Sequence, residues 1–151
     1  MSDTVIDVEI EDEAWSRVPA VELLVRAAAA AALEEVQAPE GCAVTVLLAD
    51  DAAVAELNHR FRGKTGPTNV LSFPAPENPE NHLGDIALAH GVCAREAGEQ
   101  NKTLEAHLQH LVAHGVLHLV GYDHQTDDEA EAMEDLERAI LAGLGHPDPY
   151  R

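Results

Sequence analysis

Residues 114–124 read His-Gly-Val-Leu-His-Leu-Val-Gly-Tyr-Asp-His. His114 and His118 are four residues apart. On a helix this places them one turn apart on the same face, so both imidazoles can reach one point. Gly121 follows three residues later, where a glycine can end a helix in a left-handed conformation that a Cβ disfavours. The chain then turns through Tyr122 and Asp123, and His124 can swing back to the same point. A lone histidine on an apolar helix is ordinarily a satisfied core residue. Three at this spacing, with a glycine at the turn, predict a metal site on His114, His118 and His124. Three neutral imidazoles with one position left open form the ligand set of a catalytic zinc rather than a closed structural one, and one ion per chain is expected. Affinity order alone would also admit nickel or copper.

The spacing also fits the extended zinc-peptidase pattern His-Glu-x-x-His-x-x-Gly-x-x-His. In that pattern the glutamate is the general base. Gly115 stands in its place here and can transfer no proton. The ligand geometry is kept and the peptidase base is missing, which argues against ordinary peptide hydrolysis.

Working outward, Thr103 can cap this central helix, and Leu104, Leu108, Leu111, Val112 and Leu119 mark its buried surface. His107 and His110 lie on the histidine side and are expected to hydrogen-bond near the metal or line its mouth. Downstream, Thr126-Asp127-Asp128-Glu129 has the capping-box pattern. It opens a last helix on Met133, Leu136, Ile140 and Leu144, whose acids from Asp127 to Glu137 read as a solvated face. The tail from Gly145 to Pro149 reads as frayed.

Upstream, Thr4 to Ile10 alternates as a half-buried strand. Pro19 suits the first turn of a helix running through Val21, Leu24, Val25, Ala28, Ala32 and Val36. Val44 to Leu48 is apolar enough for a strand covered on both faces. Asp50 is placed to cap a helix on Val54, Leu57 and Phe61. Asn69 to Phe73 and Leu83 to Ala89 read as further strands, with a polar, proline-rich loop from Pro74 to Asn81 between them. Gly91 to Gln100 reads as a helix. Asp85 is either a surface charge or a partner that orients a histidine. Together these predict an α+β fold: a small mixed four-stranded sheet with about five helices, the histidine helix lying close to the sheet.

The 151 residues suit a single domain, 1–151, and a hydrophobic fraction of 46% supports one good core. The formal net charge of −19 disfavours nonspecific binding to nucleic acid or anionic membrane. A polyanionic substrate would therefore need a local basic patch. Of nine lysines and arginines, Arg60, Arg62 and Lys64 crowd one stretch. They either complement a helix end or form an anion site in a glycine-containing loop. Cys42 and Cys93 are too few for a disulfide framework, and with no signal-peptide pattern a cytoplasmic protein is expected. The alanine run from Ala27 to Ala32 is too short to span a membrane.

Residues 114–124 resemble the signature of the YbeY family, bacterial endoribonucleases of ribosomal RNA maturation. Two further segments resemble it in the same order: Arg62-Gly63-Lys64 through Pro67-Thr68-Asn69-Val70-Leu71-Ser72-Phe73-Pro74, and Leu83-Gly84-Asp85-Ile86. The likeness runs from the second strand to His124 without departure at these positions. It implies a zinc-dependent, single-strand-specific endoribonuclease acting in 16S ribosomal RNA 3′-end maturation and ribosome quality control. The implied partners are the 16S precursor and the small subunit or ribosome-associated proteins, with no membrane and no DNA. By position, His114, His118 and His124 would hold zinc and Arg62 would be the catalytic arginine. Arg60 and Lys64 would extend a track for the RNA backbone. Two other readings stay open: a metallopeptidase-like hydrolase with its base outside the motif, and a noncatalytic zinc module that docks on the ribosome.

Overall fold

The computed structural model describes residues 4–150. Four strands form one mixed sheet in the order β1-β2-β4-β3. They are β1 (Val5–Ile10), β2 (Ala43–Ala49), β3 (Val70–Pro74) and β4 (His82–Ala89). β1 and β4 flank β2 in parallel, while β3 pairs antiparallel with β4 and forms an edge. Five α-helices complete the α+β fold: α1 (Val21–Glu35), α2 (Asp51–Arg62), α3 (His90–Glu99), α4 (Leu104–Leu119) and α5 (Asp127–Gly143).

Strand alternation divides the interior in two. Val44, Val46, Leu48, Ile86 and Leu88 join the larger core under α1 and α4, with Met133 and Ile140 of α5. Leu47, Ala49, Leu71, Ala87 and Ala89 face the other way and meet Val54 and Leu57 of α2. β2 is thus covered on both faces, as its largely apolar run predicts. α4 lies deepest. Leu108, Val112, Val116 and Leu117 are fully buried, and each such side chain contributes about 1.5–3 kcal/mol by leaving water. This packing fixes the helix that carries the histidines.

Helix starts follow the sequence closely. Asp50, Thr103 and Thr126 each accept a hydrogen bond from a backbone N–H of the first turn, at 2.8, 3.1 and 3.1 Å. Three expectations need correction here, and one element was not anticipated. Pro19 lies outside α1, whose N-cap is Ala20 in a left-handed conformation. Phe61 is not a core residue: it is 61% exposed at the end of α2. The stretch from Glu13 to Arg17 forms a short 3-10 helix, and its Trp15 is fully buried and donates to Ala49 O at 2.9 Å.

The third correction concerns the tail, which is docked rather than frayed. Lys102 donates to Pro149 O at 3.0 Å, Arg138 to Asp148 at 3.1 Å, and His146 meets Gln109. Among the described residues, no helix is long and apolar enough to cross a membrane.

Candidate metal centre

α4 places His114 and His118 one above the other, with ring centroids 4.6 Å apart. The helix ends at Leu119, and Gly121 turns the chain with a φ of +103°, a region open to glycine at little cost. The turn returns His124 to within 5.8 and 5.2 Å of the His114 and His118 rings. One ligand atom from each of the three histidines lies within 4.8 Å of the others.

The hydrogen bonds decide which nitrogens are available. His118 Nδ1 lies 2.9 Å from Tyr122 O, and a carbonyl only accepts, so Nδ1 carries the hydrogen. His114 Nδ1 lies 3.1 Å from Glu137 Oε2 and donates in the same way. With both rings in the neutral form that metal binding requires, both Nε2 atoms are acceptors, and they face each other at 3.0 Å. Two lone pairs this close repel unless a cation lies between them. Two imidazole nitrogens on one tetrahedral zinc stand about 3.3 Å apart, given Zn–N distances of about 2.0–2.1 Å. The donor set therefore fits a metal ion. Burial, and next the neighbouring His114, push His118 below the usual histidine range, which favours the neutral form a metal requires.

Glu137 is the residue that sequence reading missed. It is 1% exposed and does not belong to a solvated face. Its Oε1 accepts from Tyr150 OH at 2.6 Å and bonds His110 Nε2, while Oε2 takes the His114 hydrogen. Burial alone would raise its pKa. The hydrogen bonds from His110, His114 and Tyr150 outweigh burial and hold it down at about 2. A carboxylate so occupied orients His114 and is a poor proton acceptor near neutral pH. A signal was present: 137 follows Met133 by four and precedes Ile140 by three, so it shares their buried stripe.

Asp85 does not reach the three-histidine centre. It pairs with His82 at 3.0 Å and its side chain is 60% exposed. His107 hydrogen-bonds Glu96 at 2.9 Å, and with His110, His114, Asn69 and Tyr150 it lines a cleft of about 380 Å³ beside the centre. Gly115 backs onto the sheet: a Cβ there would meet Ile86 side-chain atoms at 3.0 and 3.1 Å. A larger residue at this position would need the Ile86 side chain to shift by a few tenths of an ångström, so the helix packs closely on the sheet where the peptidase pattern has its base.

Arg60, Arg62 and Lys64 are exposed at and just beyond the end of α2. Among the described residues, no hydrogen bond, ion pair or ring contact joins them to the histidines. α2 covers the opposite face of the sheet from α4, and β3 is the edge between the two. Ser72 of β3 donates to Gly115 O at 3.2 Å, while Phe73 on the other face meets Phe61.

The family model described as "Endoribonuclease YbeY" matches residues 7–145. A Maricaulis maris protein named Endoribonuclease YbeY is 54% identical over 96% of this chain and 91% of its own length. One of the same name from Azorhizobium caulinodans is 50% identical, over 96% and 95%. The solution structure of a Thermotoga maritima protein superposes with a TM-score of 0.60 at 27% identity, covering 97% of this chain and 99% of that one.

Proposed function

Because the chain belongs to the Endoribonuclease YbeY family, we propose that it is a zinc-dependent, single-strand-specific endoribonuclease. On this reading it acts in 16S ribosomal RNA 3′-end maturation and ribosome quality control, in the cytoplasm and with ribosomal or ribosome-associated partners. The whole activity is assigned to one domain, residues 1–151. The observation that carries the metal part is the pair of bare Nε2 atoms facing each other at 3.0 Å, each ring held by a hydrogen bond through Nδ1.

His114, His118 and His124 would hold the ion. When bound, zinc supplies Lewis acidity toward a phosphate oxygen and lowers the pKa of a coordinated water. The protein groups do the rest. Glu137 and the Tyr122 carbonyl fix the two ring orientations. Arg62 is assigned as the catalytic arginine, its planar guanidinium matching two phosphate oxygens at once. Arg60 and Lys64 bind the backbone on either side. Reaching Arg62 from the histidines requires the strand to pass over the β3 edge, since α2 and α4 lie on opposite faces.

The test is cleavage of labelled single-stranded and duplex RNA by zinc-loaded protein, with His114→Ala and Arg62→Ala in parallel. The expected result is single-strand cleavage by the parent alone, with zinc still bound by Arg62→Ala. Equal cleavage by all three would refute the site. Stoichiometric zinc without any cleavage would favour a docking module.

A further inference from the structure

Phe61 is the most exposed aromatic among the described residues, at 61%. Its ring packs edge-on against Phe73 of the edge strand at 5.6 Å, and the Arg60 guanidinium lies 5.6 Å from its centroid. Arg62 and Lys64 follow within the same turn. In a chain of net charge −19, a run of cations has many acids available to pair with. Arg26, Arg95 and Arg138 each pair with a carboxylate. Among the described residues, Arg60, Arg62 and Lys64 make no ion pair, although Glu56 lies one turn before Arg60 on α2. An exposed aromatic ring amid three unpaired cations is complementary to a ligand that offers both a flat face and negative charge.

We propose that Phe61 is a stacking platform for an unpaired base of single-stranded RNA, with Arg60 and Lys64 neutralising the flanking phosphates. This rests on the RNA-cleaving reading above and deepens it by naming what selects single strands. Every base has a π-face, but only an unpaired one can leave its neighbours to lie on a side chain. The position suits the role. Phe61 stands across the β3 edge from α4, so a strand seated there crosses that edge toward the histidines.

The experiment is anisotropy titration of a fluorescein-labelled single-stranded RNA, and of a blunt duplex of the same length, into metal-loaded protein. Phe61→Ala and Phe61→Trp are titrated beside the parent. Loss of the ring should weaken single-strand binding about ten-fold, as expected for one base stacked on an aromatic side chain, with duplex binding unmoved. Phe61→Trp should bind at least as tightly as the parent, and its indole emission should be quenched as strand is added. Equal single-strand affinity for parent and Phe61→Ala, or an unquenched Phe61→Trp, overturns the platform. A dimer seen in sedimentation that Phe61→Ala abolishes would assign this face to a second copy and also overturns it. Single-strand binding and cleavage missing from every form would fell the RNA reading itself, an outcome distinct from the other three.

Discussion

α4 carries two pairs of histidines on one side, and they have different fates. His107 and His110 occupy its first half and His114 and His118 its second. In the first pair each Nε2 meets a carboxylate, Glu96 for His107 and Glu137 for His110. In the second pair the carboxylate and the carbonyl engage Nδ1, and both Nε2 atoms are left to face one another. Residue type and spacing along the helix are nearly the same. What separates a structural pair from a candidate ligand pair is which ring nitrogen the surroundings take, and whether a third imidazole arrives from outside the helix. Gly121 and His124 provide that third group to the second pair alone.

The largest expected effect breaks the comparison outright. His118→Ala should lose bound zinc and cleavage together, while His107→Gln should keep about one ion per chain, the three-ligand set of a catalytic site being intact. Metal analysis after dialysis, alongside the RNA assay, reads both. Zinc lost from His107→Gln and kept by His118→Ala would reverse the assignment.

Glu137 belongs to both pairs, so changing it sharpens the comparison instead. Glu137→Gln keeps the shape but removes the charge that aligns the His114 ring and compensates His110. Zinc affinity should fall about 10–100-fold, the usual cost of losing a partner behind a metal-bound histidine. Competition with a chromophoric chelator measures this. Unchanged affinity would reduce Glu137 to a core-packing role.

Much of this was legible in the sequence. The capping residues Asp50, Thr103 and Thr126, the strand alternation and the His-x-x-x-His spacing are local signals, and local physics governs them. The misses have a common cause. Phe61 fitted the apolar stripe of α2, yet it meets the sheet only through Phe73 on the edge strand and stays 61% exposed, and only the tertiary arrangement shows this. Glu137 looked like one more acid in an acidic helix, although its place between Met133 and Ile140 put it on the buried stripe. The tail from Gly145 onward offered few apolar residues, so its anchoring through Lys102, Arg138 and Gln109 was invisible in composition. Gly115 was readable as the loss of a base, but its close approach to Ile86 involves a residue 29 positions away in the chain.

The smallest effect concerns the structural pair alone. Burial pushes His107 below the usual histidine range, and the Glu96 hydrogen bond only partly opposes this. The folded protein therefore keeps His107 neutral at pH values where the unfolded chain, with a pKa of about 6.5, is already protonated. Below that pH the unfolded state binds more protons, so stability falls with falling pH. The contribution is fully present above about pH 6.5 and is lost as the pH drops toward the lowered folded value. Metal-free parent protein and His107→Gln, unfolded in urea at pH 7.5 and 5.5, isolate it: the parent should lose more of its midpoint than the variant over this interval. Equal losses would mean that His107 is protonated as readily in the fold as out of it. The first pair would then be held by charge rather than by burial, and the contrast along α4 would rest on the Nε2 geometry alone.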